Sequence, residues 1–269
     1  MSAQASRWPA RRGRARELRD RHPFAAEVLS LYLALLDVQE DAWHAVRESP
    51  PTDLCAWTAD HVLPAVVDAT VAAGPSALAQ AANGRAAEGA LAGWLDGAEL
   101  EPVDRYLARA SLAPVLEAVG WEAGANGHGG VRCPRCGGPP QLSFVASTGD
   151  ALVSGQRSLL CARCGTSWAC SRSTCPACEG TADGQLTMYA ERFEGPVAPG
   201  NGKREGDARA VFPHMRIAGC SACRRYLIEV DMERDARAVP EVDELTAIPL
   251  DLYAADQGLT KLTANLMGF

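Results

Sequence analysis

The chain has no run of about 18 consecutive apolar residues, the length an apolar helix needs to cross a bilayer, so no membrane span is expected. It also lacks the apolar stretch that follows the basic start of a secretion signal. After Arg11-Arg12 comes Gly13-Arg14-Ala15-Arg16-Glu17 instead, and a cytoplasmic location is the expectation. Common catalytic motifs are missing as well: no Walker-type phosphate loop, no Gly-x-Ser-x-Gly elbow and no His-Glu-x-x-His. Cysteine is scarce in the first half, where Cys55 stands alone. Nine of the ten cysteines lie between Cys133 and Cys223.

Eight of those nine form four Cys-x-x-Cys pairs: Cys133/Cys136, Cys161/Cys164, Cys175/Cys178 and Cys220/Cys223. Two intervening residues let a tight turn aim both sulfurs at one ion, and a glycine after the second cysteine permits the positive φ such a turn often needs. Gly137 and Gly165 stand at that position. In a reducing compartment, pairs of this kind favour metal over disulfide. Two pairs complete a tetrahedral S₄ site, suited to zinc or a single iron. Eight sulfurs therefore predict two metal ions, with consecutive pairs sharing each ion because each half then closes locally. Four sulfurs per ion leave no open position for a reacting water, so the reading is a binding protein and not an enzyme. Cys170 is left over and is read as a half-buried thiol, Cys55 as a buried helix residue, and His128 and His214 as solvated or packed.

Apolar residues make up 47% and charged residues 22%, as in ordinary globular proteins. The net charge of −7 is uneven: −6 over residues 1–130, +4 over 131–230 and −5 over the last 39. Eight thiolates and two divalent ions bring the central excess to about zero, which argues against a nucleic-acid surface.

Residues 1–23 hold seven arginines and read as a basic tail running into a solvated helix start, with an arm for an acidic partner as the lesser alternative. Phe24, Val28, Leu31, Leu35 and Val38 recur at helical spacing. Further helical stretches run over 53–73, with Pro64 kinking or dividing the first, and over 75–95 and 101–119. Residues 24–121 thus read as a bundle of four or five helices, with Trp43, Trp57, Trp94 and Tyr106 as packing residues. Glu122–Gly130 reads as a glycine-rich linker. Beyond it, β-prone runs at 142–146, 158–160, 186–193, 215–218 and 226–230 alternate with turns, and 195–207 reads as a mobile hairpin tip. An amphipathic helix closes the chain through about Ala255.

The residues that carry chemistry resemble the FdhE family, accessory proteins for maturation of formate dehydrogenases. His22-Pro23-Phe24, Tyr32-Leu33-Ala34-Leu35-Leu36 and Gln39 look like the family's opening helix. Cys161-Ala162-Arg163-Cys164, Trp168, Arg172 and Cys175-Pro176-Ala177-Cys178 form the most specific stretch. Cys220-Ser221-Ala222-Cys223, Pro240-Glu241-Val242-Asp243-Glu244-Leu245 and Leu250-Asp251-Leu252 resemble its end. Ala169 and Cys170 depart from the histidine that the family commonly has there. The resemblance implies an α+β chain: a helical N-terminal bundle, then rubredoxin-like modules over 131–174 and 175–269, the second with a C-terminal helix. It also implies iron at the metal sites, with zinc chemically as good, and as partner the catalytic subunit of a formate dehydrogenase. Self-association is left open. The competing readings are a zinc-ribbon nucleic-acid binder and a rubredoxin-like electron carrier, for which so large a helical domain is unnecessary.

Overall fold

Val28, Leu31, Leu35 and Val46 form the buried stripe of a 23-residue helix, α2 (Ala26–Glu48), which is the axis of the N-terminal half of this computed structural model. The structure describes residues 7–120, 130–147, 155–191 and 210–268, so the glycine-rich linker with His128 and the segment 195–207 lie outside the described residues. Seven helices, more than expected, build the bundle: α1 (Arg7–Arg21), α2, α3 (Leu54–His61), α4 (Leu63–Ala73), α5 (Ser76–Ala82), α6 (Glu88–Asp96) and α7 (Pro102–Val119). Pro64, within the first turn of α4, divides α3 from α4, since its missing N–H costs nothing there. Asp53 caps α3 by accepting from the Ala56 N–H at 3.0 Å.

Two expectations fail here. Phe24 is not on the core stripe. It lies in a 3₁₀ turn (Pro23–Ala25), half exposed, against the rings of His22 and Phe212. Nor are residues 7–21 a solvated tail. They form α1, which buries Trp8, Ala15 and Leu18 together with Arg11 and Arg14. The arginine-rich composition concealed a docked helix because its cations meet carboxylates of the same chain. Arg11 pairs with Glu117 and Glu241, and Arg14 with Asp235 and Asp243.

The C-terminal half is a seven-stranded sheet of β1 (Pro140–Ala146), β2 (Gln156–Cys161), β3 (Ser167–Ala169), β4 (Leu186–Ala190), β5 (Met215–Cys220), β6 (Arg225–Asp231) and β7 (Thr260–Lys261). The order is β3-β2-β1-β6-β5-β4, with β7 on β6. Neighbours within each cysteine half are antiparallel except β6 and β7, which pair in parallel; β1 and β6 also pair in parallel, through Ser143–Glu229, Phe144–Val230 and Val145–Asp231. The two cysteine modules are therefore one continuous sheet. The short strand β3 carries too few residues to show a period, and it was not anticipated.

The acidic segment becomes α8 (Pro240–Asp243) and a 3₁₀ turn (Glu244–Thr246), followed by α9 (Ile248–Asp256). It is the polar joint of the molecule. Besides the α1 contacts, buried Glu244 pairs with Lys261 at 2.9 Å and accepts from Gln141. Gln141 in turn accepts from Arg109 of α7 at 2.8 Å. Bundle, sheet and C-terminal segment are thus held by one chain of charge-assisted hydrogen bonds.

Candidate metal centres

Cys133 and Cys136 precede β1, while Cys161 ends β2 and is followed by Cys164 after one turn. The β1–β2 hairpin brings both turns together. All four sulfurs lie within 4.8 Å of one another, with Cys136–Cys161 at 3.4 Å and Cys133–Cys164 at 3.7 Å. An ion bound tetrahedrally to sulfur at about 2.3 Å sets sulfur–sulfur edges of about 3.8 Å, whereas a disulfide needs about 2.05 Å. The spacing fits an ion and not a bond. Backbone N–H groups point at the sulfurs: Gly138 to Cys136 at 3.4 Å and Arg163 to Cys161 at 3.3 Å. A side chain at Gly138 would collide with two of the sulfurs. All four cysteines are buried and belong to the same apolar cluster as the bundle core.

The second centre combines Cys175 and Cys178, before β4, with Cys220 and Cys223, at the turn between β5 and β6. Cys175–Cys223 is 3.8 Å and Cys178–Cys220 is 3.9 Å. The pairs thus combine consecutively, and each group of four could hold a metal ion. This centre is open, with Cys178 exposed and Cys223 half-buried. Gln185 was not picked out by sequence; its amide donates to Cys178 and Cys220, each at 3.3 Å. Only its place seven residues after Cys178 could have suggested it.

Thiol ionisation shows what the crowding demands. In the first centre, hydrogen bonding among the sulfurs lowers Cys133, to about 7, and Cys164, while the same contacts push Cys136 and Cys161 up. In the second, burial raises Cys175 to about 12. Burial also opposes ionisation of Cys220, but the Cys223 N–H, Gln185 and the Ala222 N–H bring it down to about 6. Four adjacent thiols do not all ionise without a cation among them, so the donor set fits a metal that displaces the protons.

The four turns share one backbone feature. The residue after the second cysteine has φ near +60°: Gly137 (66°), Gly165 (66°), Glu179 (60°) and Arg224 (59°). The second centre holds a left-handed conformation with side chains that disfavour it. Glu179→Gly is therefore expected to stabilise the chain by about 0.5–1 kcal/mol, since relief of strain outweighs glycine's extra unfolded-state entropy. Urea midpoints of the two proteins check this, and a lower midpoint for the variant would contradict it.

The remaining cysteines and histidine take no part in either centre. Cys170 is half-buried on the sheet side, its thiol raised by burial, and Cys55 is half-buried in α3. His214 is packed against Asp243 at 2.7 Å.

These features define a class: a helical bundle fused to one sheet that carries two Cys-x-x-Cys pair sites, one sealed and one open. No protein-family profile matches the chain. Curated relatives do. The chain is 29% identical to a protein FdhE homolog of Aquifex aeolicus over 137 residues, 51% of this chain and 41% of the relative. It is 30% identical to one of Pseudomonas putida over 136 residues, 51% and 38%. The match thus spans about two-fifths of the relatives' own length. The crystal structure of the FdhE protein from Pseudomonas aeruginosa superposes with a TM-score of 0.65 at 22% identity, covering 97% of this chain and 95% of that one. The chain is thus similar to FdhE proteins in sequence over about half its length, and shares their fold over nearly all of it.

Proposed function

We propose that this chain is a cytoplasmic accessory protein that binds the catalytic subunit of a formate dehydrogenase during its maturation. Its two metal ions are held by Cys133, Cys136, Cys161 and Cys164, and by Cys175, Cys178, Cys220 and Cys223. The observation that carries the reading is agreement with FdhE on two independent scales, sequence over half the chain and fold over nearly all of it. Iron and zinc suit the S₄ sets equally. When bound, either ion cross-links two turns; with four sulfurs around it, it offers no vacant position to a reacting water, which supports a binding role over catalysis. Among the described residues no helix is long and apolar enough to cross a membrane.

The test is capture of the tagged chain, at native expression level and without air, from cells making formate dehydrogenase. The eluate should contain the catalytic subunit and two metal ions per chain. Capture without the subunit, while the enzyme is present in the lysate, would defeat the partner assignment. Fewer than one ion per chain would defeat the ligand assignment.

A further inference from the structure

Five arginines are buried: Arg11, Arg14, Arg109, Arg157 and Arg163. Three of them touch carboxylates: Arg11 meets Glu117 and Glu241, Arg14 meets Asp243, and Arg157 meets Glu229. The other two do not, among the described residues. Arg109, 4% exposed, donates to the carbonyls of Ala264 and Asn265 and to Gln141. Arg163, 9% exposed, donates only weakly to the Cys136 carbonyl, at 3.4 Å, and its Nε has no partner. Arg109 reaches a carboxylate only through Gln141, which bonds Glu244, and Glu244 is already paired with Lys261. A buried cation without a contacting anion is costly, so a further negative group must compensate these two.

Both sit beside the sealed centre. Their guanidinium carbons lie 5.3 and 5.7 Å from the Trp94 ring, and Arg163 belongs to the Cys161–Cys164 turn itself. The sequence marks the same asymmetry. The third position of both turns in the sealed centre is arginine, Arg135 and Arg163. In the open centre it is alanine in both, Ala177 and Ala222. Arg135 likewise has no carboxylate partner among the described residues and packs against Gly120, at the end of α7. Four thiolates around a divalent ion carry a net charge of −2. Two buried guanidiniums carry +2.

We infer that Arg109 and Arg163 are the counter-charge of the sealed centre, braced by Trp94, and that they make its ion a permanently held one, while the open centre, without such cations, exchanges. The inference rests on the cysteines being metal ligands, and deepens that reading by separating the two sites. Arg109 and Arg163 act through the thiolates and not on the ion. They are positioning residues.

The test uses the full chain loaded with Co²⁺ and challenged with excess EDTA, followed by the thiolate-to-cobalt absorbance. Loss is expected in two phases. Cys178→Ser should leave only the slow one, assigning it to the sealed centre. In that background Arg163→Gln and Arg109→Gln should each speed the slow phase about 10-fold or more. Arg163→Lys, which keeps the charge, should restore it to within about threefold of the parent on the same argument. If Arg109→Gln does not fold, Arg135→Gln, at a half-buried site, should show a smaller acceleration. A purely structural role predicts that Arg163→Gln lowers the melting temperatures of the metal-free and loaded chains equally and leaves the slow phase unchanged; that result overturns the inference. Cobalt uptake of two ions with unaltered release in every arginine variant overturns it alone. Failure of the parent chain to take up cobalt overturns the ligand assignment as well.

Discussion

Cys161→Ser is expected to leave no cooperatively folded chain, whereas Cys178→Ser leaves the bundle and sheet intact. Both changes remove one sulfur from a four-sulfur set, so the chemistry lost is the same and only the surroundings differ. Cys161 is 3% exposed, inside the apolar cluster that includes Leu91, Trp94, Leu112 and Leu116, so the sealed centre is part of the bundle core. A structural S₄ ion contributes about 10–16 kcal/mol to folding. A domain has only about 5–15 kcal/mol of net stability to lose. Without the ion, three buried thiols and a serine hydroxyl remain in the core, and the Cys133–Gly138 and Cys161–Thr166 turns lose their common anchor. Cys178 is exposed, and the open centre lies outside both apolar clusters, so its loss frees two turns at one end of the sheet. Thermal melts by circular dichroism separate the outcomes. A Cys161→Ser protein that melts within a few degrees of the parent would show that the ion is not part of the core.

The centres were legible because their signal is local. A Cys-x-x-Cys turn needs four residues, and short hairpins leave consecutive pairing as the least costly closure, which is how the sulfurs gather. The helices of residues 24–119 were legible for the same reason, since an apolar residue every three or four positions is a local pattern. What was not legible is everything that depends on a distant partner. The parallel pairing of β1 with β6 joins residues more than 80 positions apart, and neither strand announces it. Arg7 to Arg21 read as solvated because arginine usually is. The burial of Arg11 and Arg14 follows from Glu117, Asp235, Glu241 and Asp243, which the fold brings in from positions more than 100 residues away. Gln185 and the carboxylate-free arginines fail to stand out for the converse reason. Their role is set by what lies near them in space, and an isolated glutamine or arginine carries no spacing.

The largest effect expected away from the cysteines is that of Arg14→Leu, about 3–5 kcal/mol of destabilisation at neutral pH. Arg14, with its side chain 1% exposed, donates from Nε to both oxygens of Asp243 at 3.0–3.1 Å, and Asp243 is fully buried. Removing the guanidinium leaves that carboxylate with the His214 ring at 2.7 Å and the Val239 N–H at 2.8 Å, but without its full cation. The pH dependence follows from the sign of the shift. Burial pushes Asp243 up, yet His214 and Arg14 together hold it below the ordinary 3.8. Its contribution is therefore fully present above about pH 4 and fades as pH falls through the lowered value. In the variant, burial dominates, and protonation relieves the buried charge. The gap between parent and variant should thus be widest at pH 7 and shrink on acidification. Urea titrations of the metal-loaded proteins at pH 7 and pH 4.5 measure this, and a gap that widens in acid would refute it. Arg14→Leu with Asp243→Asn removes both charges and should recover much of the loss, because a buried pair is worth less than the penalty of orphaning one member. Additive losses in that double variant would mean that α1 is held to α8 by apolar contacts from Trp8, Ala15 and Leu18, with the ion pair a bystander.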